Sequence, residues 1–121
     1  MIIPAPYWVS YVEMVKLAEG VSVIVEAGIE QSFKITAEQL EKAITPKTKA
    51  IILCSPSNPT GSIYSKDELK SLAAVLAKYP QIIIISDEIY EHINYVGKHE
   101  SIAQFEGLED RVAIINGVSK G

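Results

Sequence analysis

The segment Ile82–Asp87, four consecutive isoleucines running into Ser86 and Asp87, restricts the fold more than any other stretch of the chain. A strand with one face in water alternates apolar and polar residues; an uninterrupted β-branched run belongs to a parallel sheet covered by helices on both sides. Burial of both faces is therefore expected here. Val21–Glu26, Ala50–Ser55 and Val112–Asn116 are three further Val- and Ile-rich runs that read as strands. Helix signals fall between them. Thr36 with Gln39, and Ser65 with Glu68, fit the capping box, in which a side chain at each end satisfies the other's backbone donor. Leu69, Leu72, Ala73 and Leu76 recur at helical spacing after Ser65, and Pro80 closes that segment. Val9–Glu19, stopping at Gly20, is a similar segment. Alternating strands and helices predict an α/β fold, a largely parallel sheet with right-handed crossovers.

A chain of 121 residues with 48% hydrophobic content forms one core, although parallel sheets wrapped by helices generally use more chain than this. No internal repeat or Ser/Gly-rich linker divides it. The formal charge of -4 comes without a Lys/Arg cluster, which argues against nucleic acid or an anionic membrane surface as partner. The longest apolar stretches are too short to span a bilayer and no signal-peptide architecture opens the chain, so a cytoplasmic location is expected. Cys54, the one cysteine, leaves no intrachain disulfide and no cysteine-based metal cluster, and reads as a strand residue of the core.

Ligands of open parallel sheets collect outside the carboxyl ends of the strands. Three strand exits carry polar groups: Ser55-Pro56-Ser57-Asn58-Pro59-Thr60-Gly61, then Asp87-Glu88, then Asn116-Gly117-Val118-Ser119-Lys120. Taken singly, the first is an ordinary Pro/Gly turn, the second a pair of carboxylates suited to a helix N-terminus, and the third a solvated lysine. Together they place a carboxylate, an amide and an amine at one edge of the sheet.

Pro4-Ala5-Pro6-Tyr7-Trp8, the Ser57–Gly61 segment, Asp87-Glu88-Ile89-Tyr90 and Ser119-Lys120, in this order, resemble class I aminotransferases of the aspartate aminotransferase superfamily. The resemblance covers essentially the whole chain. It implies a three-layer α/β/α domain, part of the large domain of a fold-type I pyridoxal-phosphate enzyme, with pyridoxal 5'-phosphate as cofactor. It implies that Lys120 forms the internal aldimine and moves the substrate α-proton, which calls for a buried amine that is neutral part of the time. Asp87 would pair with the pyridine nitrogen, Asn58 and Tyr90 would donate to the phenolic oxygen, and Trp8 would stack on the ring. A cis bond at Asn58-Pro59 is implied as well. Tyr90, three residues after Asp87, shares a face with it if a helical turn starts at the strand exit. His92 and His99 match no catalytic position and make no convincing metal site; Tyr7, Tyr11, Tyr64 and Tyr95 are assigned to packing.

By the same resemblance, residues 1–121 form part of the cofactor-binding domain, with the phosphate-binding loop upstream and the small domain, with its carboxylate-gripping arginine, downstream of the chain. The parent would be a homodimer exchanging an amino group between an amino acid, aspartate by default, and a 2-oxo acid, and the isolated piece would turn over little or nothing. Carbon-sulfur lyases and aminocyclopropane-carboxylate synthases keep the same Asn, Asp, Tyr and Lys, because these residues serve the cofactor. An aminotransferase-like sensor domain of a transcription regulator, or an α/β domain without cofactor, are the readings from other classes.

Overall fold

The computed structural model describes residues 1–120. Five strands, β1 (Ile2–Ala5), β2 (Val23–Glu26), β3 (Ala50–Cys54), β4 (Ile83–Asp87) and β5 (Val112–Ile115), form one sheet in the order β2-β1-β3-β4-β5. Every neighbouring pair is parallel. Three helices, α1 (Ser10–Leu17), α2 (Ala37–Ala43) and α3 (Lys66–Ala77), connect them. Both expected capping boxes are present, Thr36 with Gln39 opening α2 and Ser65 with Glu68 opening α3. Helix α1 ends in a Schellman arrangement: Glu19 takes the left-handed conformation and the Gly20 amide donates to the Val15 carbonyl at 2.8 Å. Gly20 is needed there for space, since a Cβ on it would stand 3.0 Å from a Val15 methyl.

The chain runs outward from β1 to β2, then crosses back to β3 and continues to β4 and β5. Right-handed crossovers then demand that α1 lie on one face and α2 and α3 on the other. The packing agrees. Leu40, Ile51, Leu53, Leu72, Leu76 and Ile84 belong to the large core under α2 and α3, whereas Ile3, Tyr11, Val15 and Ile52 form a smaller core under α1. Reversal of direction between β1 and β3 also makes their carboxyl ends the natural ligand crevice.

Two expectations need correction. Strand β1 was not among the strands read from the sequence, because it has four residues and contains Pro4. Proline is tolerated because β1 meets β3 through a single register pair, Ile2 with Ile51, and has parted from it before Pro4 needs to donate. The second correction concerns β4. Ile84 is fully buried, but Ile83 is 45% exposed, so only one face of this strand is covered along its length. Helix α1 is short and shields β1 and β3; Ile85 packs at the margin of its core, while Ile83 and Ile115 on the same face are about half exposed.

Candidate active site

Four strand exits, not three, meet at one edge. Beyond β1 the chain passes through Ala5-Pro6, one of three cis X-Pro bonds with Ser55-Pro56 and Asn58-Pro59, and reaches α1 through Trp8 and the N-cap Val9. Beyond β3, the Ser57–Gly61 loop folds back on itself: the Gly61 amide donates to Ser57 O at 2.9 Å, the Ser57 amide to Ser62 O at 3.0 Å, and Gly61 supplies the positive φ that the turn requires. This holds Asn58 half-buried at the crevice. After β4 the backbone makes a turn in which the Glu91 amide donates to Glu88 O and the Ile93 amide to Tyr90 O. Asp87 thus ends β4 and Tyr90 lies within the turns that follow, and both line the same cleft.

Trp8, Asn58, Asp87, Tyr90 and Lys120, the five residues singled out from the sequence, line one cleft of about 240 Å³ together with Tyr11 and Cys54. Asp87 is buried at the floor of it, at 8% exposure. Its Oδ2 accepts from the Tyr11 hydroxyl at 2.5 Å and its Oδ1 from the Ile89 amide at 3.3 Å. Trp8 stands edge-on to Tyr11, ring centroids 5.6 Å apart and planes at 88°. Lys120 Nζ lies 6.0 Å from the centroid of the Tyr90 ring. The Asn58 side-chain amide and the Tyr90 hydroxyl complete the polar lining of the cleft. In one respect the arrangement departs from expectation: Lys120 is exposed in this chain, at the mouth of the cleft and without the burial its assigned role asks for.

Tyr11 was missed as a cleft residue. The signal was its position one turn after Trp8 on an amphipathic helix start, which puts both rings on one side. Glu88 takes the opposite route from Asp87, because successive strand residues point to opposite faces. Its carboxylate is buried among Ser86, Ser101 and His99, accepting from the two hydroxyls at 2.8 and 2.6 Å and lying 2.7 Å from His99 Nε2. Glu88 and His99 therefore brace the segment after β4 and do not line the cleft.

The donor set suits a flat heteroaromatic ligand with a basic ring nitrogen and an anionic oxygen: a carboxylate to accept from the nitrogen, an amide and a phenol to donate to the oxygen, an indole for the ring face, and an amine within the same space. Lys120 is the one basic residue lining the cleft, so nothing else among the lining groups offers charge to a phosphate.

An open parallel sheet whose strand exits surround such a cleft is an α/β fold with its ligand crevice at the carboxyl edge. The chain belongs to the aminotransferase class I and II family, whose model matches residues 1–121. The aspartate aminotransferase of Geobacillus stearothermophilus is 59% identical over 123 residues, covering 99% of this chain and 31% of that protein. A probable aspartate/prephenate aminotransferase of Rickettsia bellii is 55% identical, again over 99% of this chain and 31% of its own length. Among solved structures, the aspartate aminotransferase of Rhizobium meliloti superimposes with a TM-score of 0.94 at 44% identity, covering 98% of this chain and 30% of that one. That of Thermus thermophilus, determined with maleate, gives 0.92 at 43%, covering 98% and 30%. The chain thus spans about three tenths of the length of the relatives it matches.

Proposed function

We propose that the full-length protein carrying this chain is a pyridoxal-phosphate-dependent aminotransferase, and that residues 1–121 contribute part of its large cofactor-binding domain. The observation that carries this reading is the convergence of Trp8, Asn58, Asp87, Tyr90 and Lys120 on one cleft in a chain of this family. When bound, the cofactor supplies an electron sink for charge developing at the substrate α-carbon. The protein's part is binding, orientation and proton movement. Asp87 would accept a charge-assisted hydrogen bond from a protonated ring nitrogen, which would keep the ring electron-withdrawing. Asn58 and Tyr90 would donate to the phenolic oxygen, and Trp8 would pack on the ring. Lys120 would hold the cofactor through its amine and, once freed by substrate, would carry the α-proton on Nζ.

Aspartate and a 2-oxo acid are the proposed substrates. The support is the naming of the relatives as aspartate or aspartate/prephenate aminotransferases and the dicarboxylate maleate in the Thermus thermophilus structure. The relatives named above are all aminotransferases. A homodimeric parent is proposed with the same family support.

Cofactor titration of the full-length protein, borohydride reduction and peptide mapping test the reading. A single reduced adduct on Lys120 that disappears in Lys120→Ala, together with amino transfer from aspartate, is expected. Adducts scattered over surface lysines would overturn it. The 121-residue chain alone is expected to transaminate negligibly, because Lys120 is exposed and the cleft has no second basic residue.

A further inference from the structure

Tyr11 is 5% exposed, and its hydroxyl is aimed at the group the proposed function depends on most. The residue is placed by the smaller core: α1 begins after the β1 exit, the Tyr11 amide donates to Trp8 O at 3.0 Å, and Val15, one turn on, packs with Ile3 and Ile52. The ring has little freedom, because Trp8 lies edge-on against it. Its single proton is committed to Asp87 Oδ2 at 2.5 Å, while the Ile89 amide donates to Oδ1. A carboxylate has about four lone-pair sites, so two donors orient it and still leave acceptor capacity for a ligand.

We propose that Tyr11 is a positioning residue: by donating to Oδ2 it fixes the Asp87 carboxylate as an oriented acceptor for the ring nitrogen of the bound cofactor. This rests on the function proposed above and deepens it. Burial foremost, then the hydrogen bond to Asp87, push the Tyr11 phenol well up from its ordinary range, so it stays a donor at any pH at which the protein works. The other titratable group beside it, Cys54, is also held protonated by burial. A purely structural tyrosine would need neither its hydroxyl nor an ionisable partner, and phenylalanine would fill the same space.

The test uses the full-length protein loaded with pyridoxal phosphate, comparing wild type, Tyr11→Phe, Asp87→Asn and the double variant. One readout is the pH midpoint of the lysine-bound cofactor's visible absorption band; the other is the cofactor dissociation constant. Tyr11→Phe is expected to weaken cofactor binding about tenfold, the scale of one hydrogen bond to a charged group. It should also move the midpoint to higher pH, because a less firmly protonated ring withdraws less charge. In the Asp87→Asn background the same substitution should change neither readout, since coupling is measured by that difference. If Tyr11→Phe folds poorly, Tyr11→His, which keeps a donor, should restore both readouts relative to Tyr11→Leu. A wild type that forms its Lys120 adduct, with Tyr11→Phe identical to it in both readouts, would overturn the role of Tyr11 alone. A wild type that forms no adduct would overturn the proposed function and this role together.

Discussion

Cys54 and Asp87 are register partners on adjacent parallel strands, so their side chains leave the sheet on the same face at the same height. The thiol donates to Pro56 O at 3.3 Å and borders the cleft. Burial pushes its pKa up from 9.0, the Asp87 charge adds to this, and contacts from Tyr11 and the Asn58 backbone offset part of it. Since the thiolate is the reactive form, Cys54 is expected to be slow toward a thiol reagent despite its place beside the cleft. Near pH 8, the folded protein should react more than about tenfold slower than the same protein in denaturant, with cofactor slowing it further. Equal rates in the two states would show the thiol to be neither buried nor suppressed.

Three protonated groups share this environment and give the protein an alkaline limit. Tyr64 is buried, its hydroxyl accepts from the Ile35 amide at 3.0 Å, and desolvation raises its pKa from 10.0 to about 12. Tyr11 and Cys54 are raised as well. A group whose folded pKa lies above its unfolded value binds its proton more tightly when folded. Its contribution is therefore fully present below the unfolded pKa and lost as pH rises through the folded one. For Tyr64 alone the loss between about pH 10 and 12 is roughly 2–3 kcal/mol. Melting temperature should thus be flat up to about pH 9 and fall above it. Tyr64→Phe should start lower, because the Ile35 amide loses its acceptor, and should decline less steeply above about pH 10. A parallel decline in wild type and variant would remove Tyr64 from the explanation.

What the sequence revealed follows the range over which each signal acts. Ala50–Cys54 and Val112–Ile115 lie within one residue of the runs that announced them, since a Val/Ile run and its flanking turn are local. The capping boxes were legible for the same reason. Strand β1 was not, because its burial derives from β2 and β3 on either side and its own four residues, proline included, carry no pattern. The cleft was legible in five side chains through motifs, while the Tyr11 bond to Asp87 spans 76 residues of chain and leaves no trace in spacing. The open face of β4 is a similar case, as four isoleucines report what a strand can bury and not how far α1 extends over it.

The Ser65 cap offers a test of the second kind of local signal. Its hydroxyl accepts from the Glu68 amide at 3.2 Å, and Glu68 returns the bond to the Ser65 amide at 2.7 Å while pairing with Lys34. Desolvation would raise the Glu68 carboxyl, but the Lys34 and Ser65 contacts outweigh it and hold the group below its ordinary value. A depressed carboxylate contributes stability that is present above its unfolded pKa and lost as pH falls through the folded one. Ser65→Ala should cost about 1 kcal/mol in denaturant unfolding at neutral pH. Glu68→Gln should cost less, and should narrow the gap to wild type below about pH 4. A gap that widens on acidification would contradict the assignment.

Arg111 ties the far end of α3 to the sheet. Its guanidinium donates to four carbonyls, Leu76 O at 2.6 Å, Ile82 O at 2.9 Å, Tyr79 O at 3.0 Å and Gly107 O at 3.1 Å. The first and third lie at the carboxyl end of α3, where positive charge is favoured by the helix dipole; each also accepts a backbone amide, Leu76 O from Tyr79 and Tyr79 O from Ile82, so the guanidinium takes a second lone pair. The second precedes β4, so one side chain fixes the α3–β4 connection and the entry to β5 at once. Lysine can place one charge there but lacks the planar fork that reaches several acceptors in fixed directions. Arg111→Lys is accordingly expected to cost about 1–2 kcal/mol and Arg111→Ala about 3 kcal/mol. Hydrogen exchange locates the damage: amides of Ile82 and Ile84 should lose protection before those of β1 and β2, because the contacts removed all lie at the β4 side of the sheet. Uniform loss across the sheet would mean that Arg111 supports global stability without the local role its four bonds describe.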